Sequence, residues 1–252
     1  MTTLAILTAA GSGTRLGRDL PKALVALAGF PLVVHAARRL AASGVVDTLV
    51  VTCPAGLDAA VRDVVAQDPH VDVPVRVVVG GATRQASVAA GLALAGPDDD
   101  VVLVHDAARP LAPPRLVRRV VDAVRAGHGA VVPGLPVTDT VKRVAPPLAV
   151  EPVETSHRVS TGPTVERVVE TPDRALLRAV QTPQGFDRAL LERAHAQGAA
   201  RAAAEGLAAT DDAGLVEALG ETAWVVTGEE AAMKITTERD LQVASLLLEE
   251  ES

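Results

Sequence analysis

The sequence predicts an α/β fold in which a doubly wound, mostly parallel sheet is covered by helices on both faces. Two observations carry this prediction. Short valine-rich runs are continuously apolar rather than alternating, which is typical of parallel strands buried on both faces. Helical stretches lie between these runs, so strand and helix patterns alternate along the chain. The length of 252 residues suits one large domain of this class.

The predicted strands are apolar runs that end in small or turn-forming residues. They cover residues 4–8, 48–52, 75–79, 101–105 and 130–133. The helices predicted between them cover residues 31–43, 57–66, 84–94 and 113–126. This order of elements predicts a Rossmann-like sheet, whose ligands bind at the carboxyl ends of the strands.

The alternation of strands and helices breaks after Val137. Residues 137–175 are rich in Pro, Thr, Val and charge and lack a helical period, so we expect two extended strands joined by a long connection. We interpret this segment as a projecting β-arm inserted into a single domain that covers residues 1–252. Helical patterns return at residues 187–197, 211–219 and 238–250, with a candidate strand at 223–226.

The composition excludes several classes of protein. A net charge of −7, the absence of Tyr and only three aromatic residues make a nucleic acid a poor partner. A single cysteine excludes an intramolecular disulfide framework and a multi-cysteine zinc site. Because no apolar run is long enough to span a bilayer and no basic leader precedes the first strand, we expect no membrane association, no signal peptide and a cytoplasmic location.

A glycine-rich turn follows the first predicted strand. It reads AAGSGTRLG at residues 9–17, and Pro21 and Lys22 come shortly after it. The glycines lack the spacing of the dinucleotide fingerprint, and the Gly-Lys-Ser/Thr of a Walker A loop is missing. Two interpretations therefore stay open: a turn whose backbone N–H groups, with Arg15 and Lys22, hold a triphosphate, or an ordinary turn with surface cations.

Further segments combine with this turn into a family pattern. They read GGATRQASV at 80–88, HDAARP at 105–110, DTVKR at 139–143, TPQGF at 182–186, TDDA at 210–213 and KIT at 234–236. In order and approximate spacing, from residue 4 to about 241, the chain resembles the 2-C-methyl-D-erythritol 4-phosphate cytidylyltransferase family, among the nucleotidyltransferases that activate sugar and polyol phosphates.

The resemblance implies that CTP and a polyol phosphate react to a CDP-linked alcohol and pyrophosphate. A phosphate monoester is largely dianionic at neutral pH and needs no general base, so such a site requires cations and Mg²⁺. The resemblance assigns transition-state stabilisation to Arg15 and Lys22 and the grip on the attacking phosphate to Lys234. Asp106 would bind Mg²⁺ or the ligand hydroxyls, and Ala107 would contribute backbone.

The resemblance also implies which residues surround the nucleotide and the second substrate. Those around the base, ribose and phosphates are Ala9, Ala10, Gly11, Gly13, Gly81 and Ser87. Ala86 stands where relatives commonly carry an acidic residue. Thr182 and Thr210 would bind the polyol or its phosphate. Thr140 and Arg174 on the β-arm would complete the substrate site of a second subunit, which implies a homodimer formed through the arm.

Other interpretations remain open at this stage. A ribitol-5-phosphate cytidylyltransferase shares the fold and nucleotide site, and a non-catalytic dinucleotide-binding module is a rival of another class. Single residues also have structural interpretations. Asp106 could cap a helix that begins at Ala107 and Ala108, Ser87 could hydrogen-bond within its own helix, and the TDDA segment could cap a helix. Lys142, beside Thr140 on the arm, has no assigned role.

Overall fold

The computed structural model describes residues 1–11, 21–145, 166–205 and 211–250. Its strands are β1 (Thr2–Thr8), β2 (Ala26–Leu27), β3 (Phe30–Pro31), β4 (Thr48–Cys53), β5 (Val75–Val79), β6 (Asp99–Asp106), β7 (Ala130–Pro136), β8 (Arg143–Val144), β9 (Val168–Glu170), β10 (Arg178–Val180), β11 (Gln184–Asp187) and β12 (Trp224–Thr227). Its helices are α1 (Leu32–Ala41), α2 (Asp58–Ala66), α3 (Arg84–Leu92), α4 (Pro114–Arg125), α5 (Arg188–Glu205), α6 (Asp212–Glu217) and α7 (Glu238–Glu250). The predicted site residues Gly13, Arg15 and Thr210 lie outside the described residues.

The chain forms two compact units. The first consists of Met1–Leu135 together with Val180–Ser252, and the second consists of Pro136–Ala179. In the first unit the sheet runs in the order β7-β11-β6-β1-β4-β5, and β12 pairs with β7. Strands β6, β1, β4 and β5 are parallel, whereas β11 runs antiparallel between β6 and β7. The predicted mostly parallel α/β sheet is confirmed.

Helices cover both faces of this sheet, as the continuous apolar runs predict. Alternate residues of β1 point to opposite faces. Ala5 and Leu7 belong to a core cluster with residues of α1, α2 and α4. Leu4 and Ile6 belong to a second cluster with residues of α3, α5 and α6. All four of these side chains are fully buried.

The antiparallel strand β11 is an element that the apolar pattern does not predict. It has four residues and contains Gly185, so it lacks the valine-rich run of its neighbours. A Cβ on Gly185 would lie 2.5 Å from Cγ1 of Val120 on α4. The glycine therefore lets this helix pack closely on the sheet, and the fully buried Phe186 fills the opposite core cluster.

The register of the parallel strands brings their carboxyl ends to one edge. Thr8 pairs with Asp106 on one side and with Thr52 on the other, and Cys53 pairs with Val79. The loops after β1, β4, β5 and β6 therefore begin along the same edge of the sheet. Such an edge is where α/β sheets bind their ligands.

The second unit contains a short antiparallel pair, β8 with β9. Arg143 and Glu170 are opposite each other in this pair and form an ion pair of 2.6 Å. Next to it, Lys142 Nζ donates to Thr171 Oγ1 at 2.7 Å. The connection at residues 146–165 lies outside the described residues, and the interpretation of this unit as the arm of a single domain stays a prediction.

Across the described ranges, none of the helices is both long and apolar enough to cross a bilayer.

Candidate active site

A cavity of about 420 Å³ opens at the carboxyl ends of β1, β5 and β6. Small residues of three loops form its walls, and charged side chains reach into it from several elements. The sequence-predicted residues that line it are Ala9, Ala10, Gly11, Lys22, Gly81, Ser87, Asp106, Ala107 and Lys234. Residues separated by more than 200 positions in the chain therefore share one site.

Close approach of two loops shapes one wall of the cavity. A Cβ on Gly80 would lie 2.7 Å from Ser87 Oγ and 2.8 Å from Ala10 Cβ. A Cβ on Gly81 would lie 2.4 Å from Ala86 Cβ. Glycine at both positions therefore lets the loop after β5 pack against Ala10 and helix α3 without a clash.

Ser87 belongs both to this wall and to helix α3. Its hydroxyl donates to Thr83 O at 2.9 Å, and Gly81 O is at 3.3 Å. Thr83 in turn caps α3, since its Oγ1 accepts from Ala86 N at 3.0 Å. The hydrogen bond within its own helix is thus present, and it fixes Ser87 at the edge of the cavity.

Asp106, at the end of β6, holds two cations. Its Oδ2 accepts from Lys234 Nζ at 2.7 Å, and its Oδ1 accepts from Arg84 Nε at 3.3 Å. Thr8 Oγ1 also donates to Oδ1, at 3.3 Å. Burial alone would raise the pKa of this carboxyl, but the charges of Arg84 and Lys234 outweigh burial and hold the pKa well below its usual range. Asp106 is therefore ionised at neutral pH, and its side chain binds cations rather than capping the turn that follows.

Thr182 orients Asp106 from the backbone side. Thr182 Oγ1 accepts from Asp106 N at 3.1 Å and donates to His105 Nδ1 at 2.9 Å. The other ring nitrogen of His105 lies 3.2 Å from Arg109 O, and a carbonyl can only accept, so Nε2 carries the proton. Burial lowers the pKa of His105 to about 4, so the imidazole is neutral. The predicted contact of Thr182 with the second substrate stays a prediction.

The buried His105 makes stability depend on pH. Its pKa is about 4 in the folded chain and about 6.5 in an unfolded one. At a pH between these two pKa values, His105 is protonated in the unfolded chain but not in the folded one. The free energy of unfolding is therefore unaffected by His105 well above a pH of about 6.5 and decreases as the pH falls below that value. We expect His105 to lower the free energy of unfolding by about 2 kcal/mol between pH 7 and pH 5, measured by urea unfolding without Mg²⁺.

A His105→Gln variant isolates this effect. The burial of His35 also lowers its pKa, so it contributes a loss in the same direction to both proteins. The variant should lose about 2 kcal/mol less than the wild type over the same pH interval. Equal losses in the two proteins would show that His105 does not titrate in this way.

Arg84 is a site residue that the sequence interpretation missed, although it lies inside the GGATRQASV segment. Besides its bond to Asp106, its Nη1 donates to Asp212 Oδ2 at 2.6 Å. The two carboxylates overcome burial and raise the pKa of the guanidinium. Arg84 also lines the cavity. In the sequence, the available signal is an arginine in one family segment and an aspartate in each of two others, HDAARP and TDDA. That these three residues lie close together depends on the fold.

The TPQGF and TDDA segments support each other. Asp211 caps α6, since its Oδ1 accepts from Gly214 N at 3.0 Å. Gln184 Nε2 donates to Asp211 Oδ2 at 2.9 Å, and Gln184 Oε1 accepts from Ala213 N at 3.2 Å. The N-cap interpretation is confirmed for Asp211, whereas the neighbouring Asp212 turns to Arg84.

The loop that carries Lys234 is fixed on both sides of that residue. Arg109 Nη1 donates to Ala232 O at 2.7 Å, and Ile235 N donates to Ala108 O at 2.8 Å. Residues of the HDAARP segment therefore hold the chain just before and just after Lys234. This anchoring places the ammonium group at Asp106.

Thr140 and Arg174 belong to the second compact unit. Thr140 is exposed, and Arg174 Nη1 donates to Thr138 O within the same unit. Their predicted roles in a substrate site stay predictions.

The donor set of the cavity limits which metal it could hold. The described residues contain no group of three or more His, Cys, Asp or Glu side chains arranged for a metal ion. Among the described residues that line the cavity, Asp106 is the one carboxylate. Mg²⁺ is commonly bound by one or two carboxylates together with substrate phosphates and waters. The residues therefore fit an Mg²⁺ ion that binds with a triphosphate.

Comparison with known proteins gives one consistent family. The IspD family model, 2-C-methyl-D-erythritol 4-phosphate cytidylyltransferase, matches residues 3–161 and 148–250. One curated relative of that name, from Nocardia farcinica, is 50% identical, and the match covers 98% of this chain and 94% of the relative. Another, from Streptomyces coelicolor, is 48% identical, and the match covers 98% of this chain and 84% of the relative. A crystal structure of the Thermus thermophilus 2-C-methyl-D-erythritol 4-phosphate cytidylyltransferase is similar with a TM-score of 0.71, at 36% identity over 99% of this chain and 100% of that one. A 4-diphosphocytidyl-2C-methyl-D-erythritol synthase structure from Anaerococcus prevotii gives a TM-score of 0.78, at 27% identity over 98% of both chains.

Proposed function

The chain belongs to the 2-C-methyl-D-erythritol 4-phosphate cytidylyltransferase family and is a nucleotidyltransferase, and from this premise we propose that its cavity binds CTP and transfers the cytidylyl group to 2-C-methyl-D-erythritol 4-phosphate. The observation that supports this cavity as the reaction site is the cluster of Lys234, Asp106 and Arg84 at the strand ends. Lys22 lines the same cavity.

The reaction needs charge compensation more than proton transfer. An oxygen of the substrate phosphate attacks the α-phosphorus of CTP and forms a new P–O bond. The bond from that phosphorus to the bridging oxygen breaks, and pyrophosphate leaves with the electron pair. The nucleophile is a phosphate monoester that is largely dianionic at neutral pH, so no general base is required. The barrier lies in aligning two anions and in stabilising the charge that develops.

The charged residues divide this task between them. We assign to Lys22, with Arg15, the stabilisation of the triphosphate and the departing pyrophosphate. We assign to Lys234 the binding of the attacking phosphate beside the α-phosphate. An ammonium group is compact and has three rotatable donors, which suits a point where two phosphates meet. Asp106 orients Lys234 through the 2.7 Å bond between them.

Backbone and small polar groups would recognise the nucleotide. Ala9, Ala10 and Gly11 follow β1, Gly81 follows β5, and all four residues line the cavity. Their N–H and carbonyl groups can pair with the edge of cytosine. Asp106 would hold Mg²⁺ together with the phosphates of CTP, and the bound ion would neutralise negative charge on the α-phosphate and the leaving group.

We further propose that the chain acts as a homodimer. In this proposal Thr140 and Arg174 of one subunit complete the substrate site of the other, and Thr182 and Thr210 contact the polyol phosphate. A planar guanidinium that can make two parallel hydrogen bonds suits a phosphate ligand. A cytoplasmic location remains a prediction from the sequence.

Pyrophosphate release tests the proposed activity. With CTP and Mg²⁺, we expect release that depends on 2-C-methyl-D-erythritol 4-phosphate, with a kcat/KM at least about tenfold higher than for ribitol 5-phosphate. A reaction without acceptor measures hydrolysis of CTP. Turnover with ribitol 5-phosphate alone would support the alternative cytidylyltransferase, and absence of release with either acceptor would support a binding module.

A further inference from the structure

A chain of polar side chains runs from the cavity into the protein interior. His195 Nε2 donates to Asp212 Oδ1 at 2.9 Å, and Arg84 Nη1 donates to Asp212 Oδ2 at 2.6 Å. Arg84 Nε then donates to Asp106 Oδ1 at 3.3 Å. The four residues come from α5, α6, α3 and β6. The chain thus links two helices outside the cavity to the carboxylate that binds Lys234.

We propose that His195 and Asp212 are positioning residues for the cytidylyl transfer. Together they fix the guanidinium of Arg84, and Arg84 fixes the carboxylate of Asp106 and thereby the place of Lys234. This inference rests on the proposed function, since it assigns the two residues a part in the same reaction.

The two bonds of Arg84 differ in strength, and this difference shows which partner holds it. The bond to Asp106 measures 3.3 Å, at the long end for an N–H···O bond, whereas the bond to Asp212 measures 2.6 Å. Different nitrogens make the two bonds, so the plane of the guanidinium is fixed. Without Asp212, Arg84 would keep the longer bond only and could rotate into the cavity. There it would compete with Lys234 for Asp106 and for the substrate phosphates.

The burial of Asp212 requires that both of its carboxylate oxygens be satisfied. Its side chain is 1% exposed. A buried carboxylate is strongly unfavourable unless its charge is balanced and its oxygens accept hydrogen bonds. Arg84 serves one oxygen and His195 the other. Removal of the His195 donor would leave Asp212 free to turn, and the Arg84 bond would turn with it.

The burial of the His195 side chain is itself energetically unfavourable. Its side chain is 5% exposed, and within the described residues its Nδ1 is buried without a hydrogen-bond partner. An unsatisfied buried ring nitrogen costs stability, and an aliphatic residue would pack in an apolar helix face without that cost. The side chain of His195 donates to Asp212, so orientation of that carboxylate explains the histidine.

Three variants test this inference by steady-state pyrophosphate release. In Asp212→Asn and His195→Leu we expect kcat to fall about tenfold to a hundredfold, since small displacements of catalytic groups cost rates of this size. The KM for CTP should stay within about threefold, because the backbone groups that we assign to the base are untouched. His195→Gln keeps an N–H donor for Asp212, and we expect its kcat within about threefold of wild type.

Asp68→Asn is the matched control. It breaks another well-shielded ion pair, in which Arg38 donates to Asp68 at 2.9 and 2.7 Å, and neither residue lines the cavity. It should lower the melting temperature but leave kcat unchanged. Thermal unfolding of all variants separates folding defects from misplacement.

The outcomes are distinct for the inference and for the proposed function. A wild-type chain that releases no pyrophosphate would overturn both. A functional wild type whose Asp212→Asn and His195→Leu variants keep kcat within threefold would overturn the inference alone. Equal losses of kcat in His195→Gln and His195→Leu would also overturn it, because activity would then follow packing rather than the donor.

Discussion

Replacement of Lys234 by alanine is expected to lower kcat at least about a hundredfold, the size of effect seen when one electrostatic donor is removed from an active site. In the proposed mechanism, this variant would leave the attacking phosphate without the ammonium group that we assign to it. It also takes one of the two cations from Asp106, so the pKa of that carboxyl should rise toward its usual value. Initial rates of pyrophosphate release at saturating CTP measure the loss.

Lys142→Ala is the control for Lys234→Ala. The chain has three lysines and 21 arginines, and two of the lysines line the cavity. Lys142 instead donates to Thr171 in the second compact unit. The Lys142→Ala substitution removes the same side chain and the same charge as Lys234→Ala, and we expect its kcat to stay within about threefold of wild type. A kcat for Lys234→Ala within tenfold of wild type would contradict the role assigned to this lysine.

The parallel sheet could be predicted from the sequence because its signal is local. The central residues of β1 (4–7) and of β6 (101–104) are apolar without alternation, which is typical of strands covered on both faces. Strand β11 could not be predicted in the same way, because it contains Gly185 and has only four residues. Its place depends on helix α4 packing against that glycine, and such a contact leaves no local pattern.

The cavity was predictable where one segment carries several of its residues. The loop after β1 and the HDAARP segment supply Ala9, Gly11, Asp106 and Ala107, and the register of β1 with β6 brings them together. Lys234 was assigned by family resemblance, and the structure brings it to Asp106.

The residues that escaped prediction act over long sequence separations. Arg84 meets Asp212 across 128 positions, and His195 lies on the buried face of the alanine-rich helix α5, outside the family segments. A histidine on such a face usually reads as a packing residue. Only the fold shows that its Nε2 is bonded to a buried carboxylate.

Mixing of two inactive variants should recover activity if subunits share their sites. We expect Lys22→Ala and Arg174→Ala each to lose at least about a hundredfold in kcat, because each removes a cation to which we assign a phosphate contact. In a heterodimer of the two, one site would combine intact Lys22 with intact Arg174, and the other would lack both. Random reassociation yields heterodimers as half of all dimers, so the mixture should reach about a quarter of wild-type activity.

The control mixture pairs Lys22→Ala with Lys234→Ala. These two lysines line the same cavity of one chain, so every site in their heterodimer would lack one of them, and activity should stay at the level of the single variants. The contrast between the two mixtures therefore reports from which chain Arg174 comes. Native mass spectrometry verifies that heterodimers form. Verified heterodimers of Lys22→Ala and Arg174→Ala without recovered activity would show that Arg174 does not serve the partner's site.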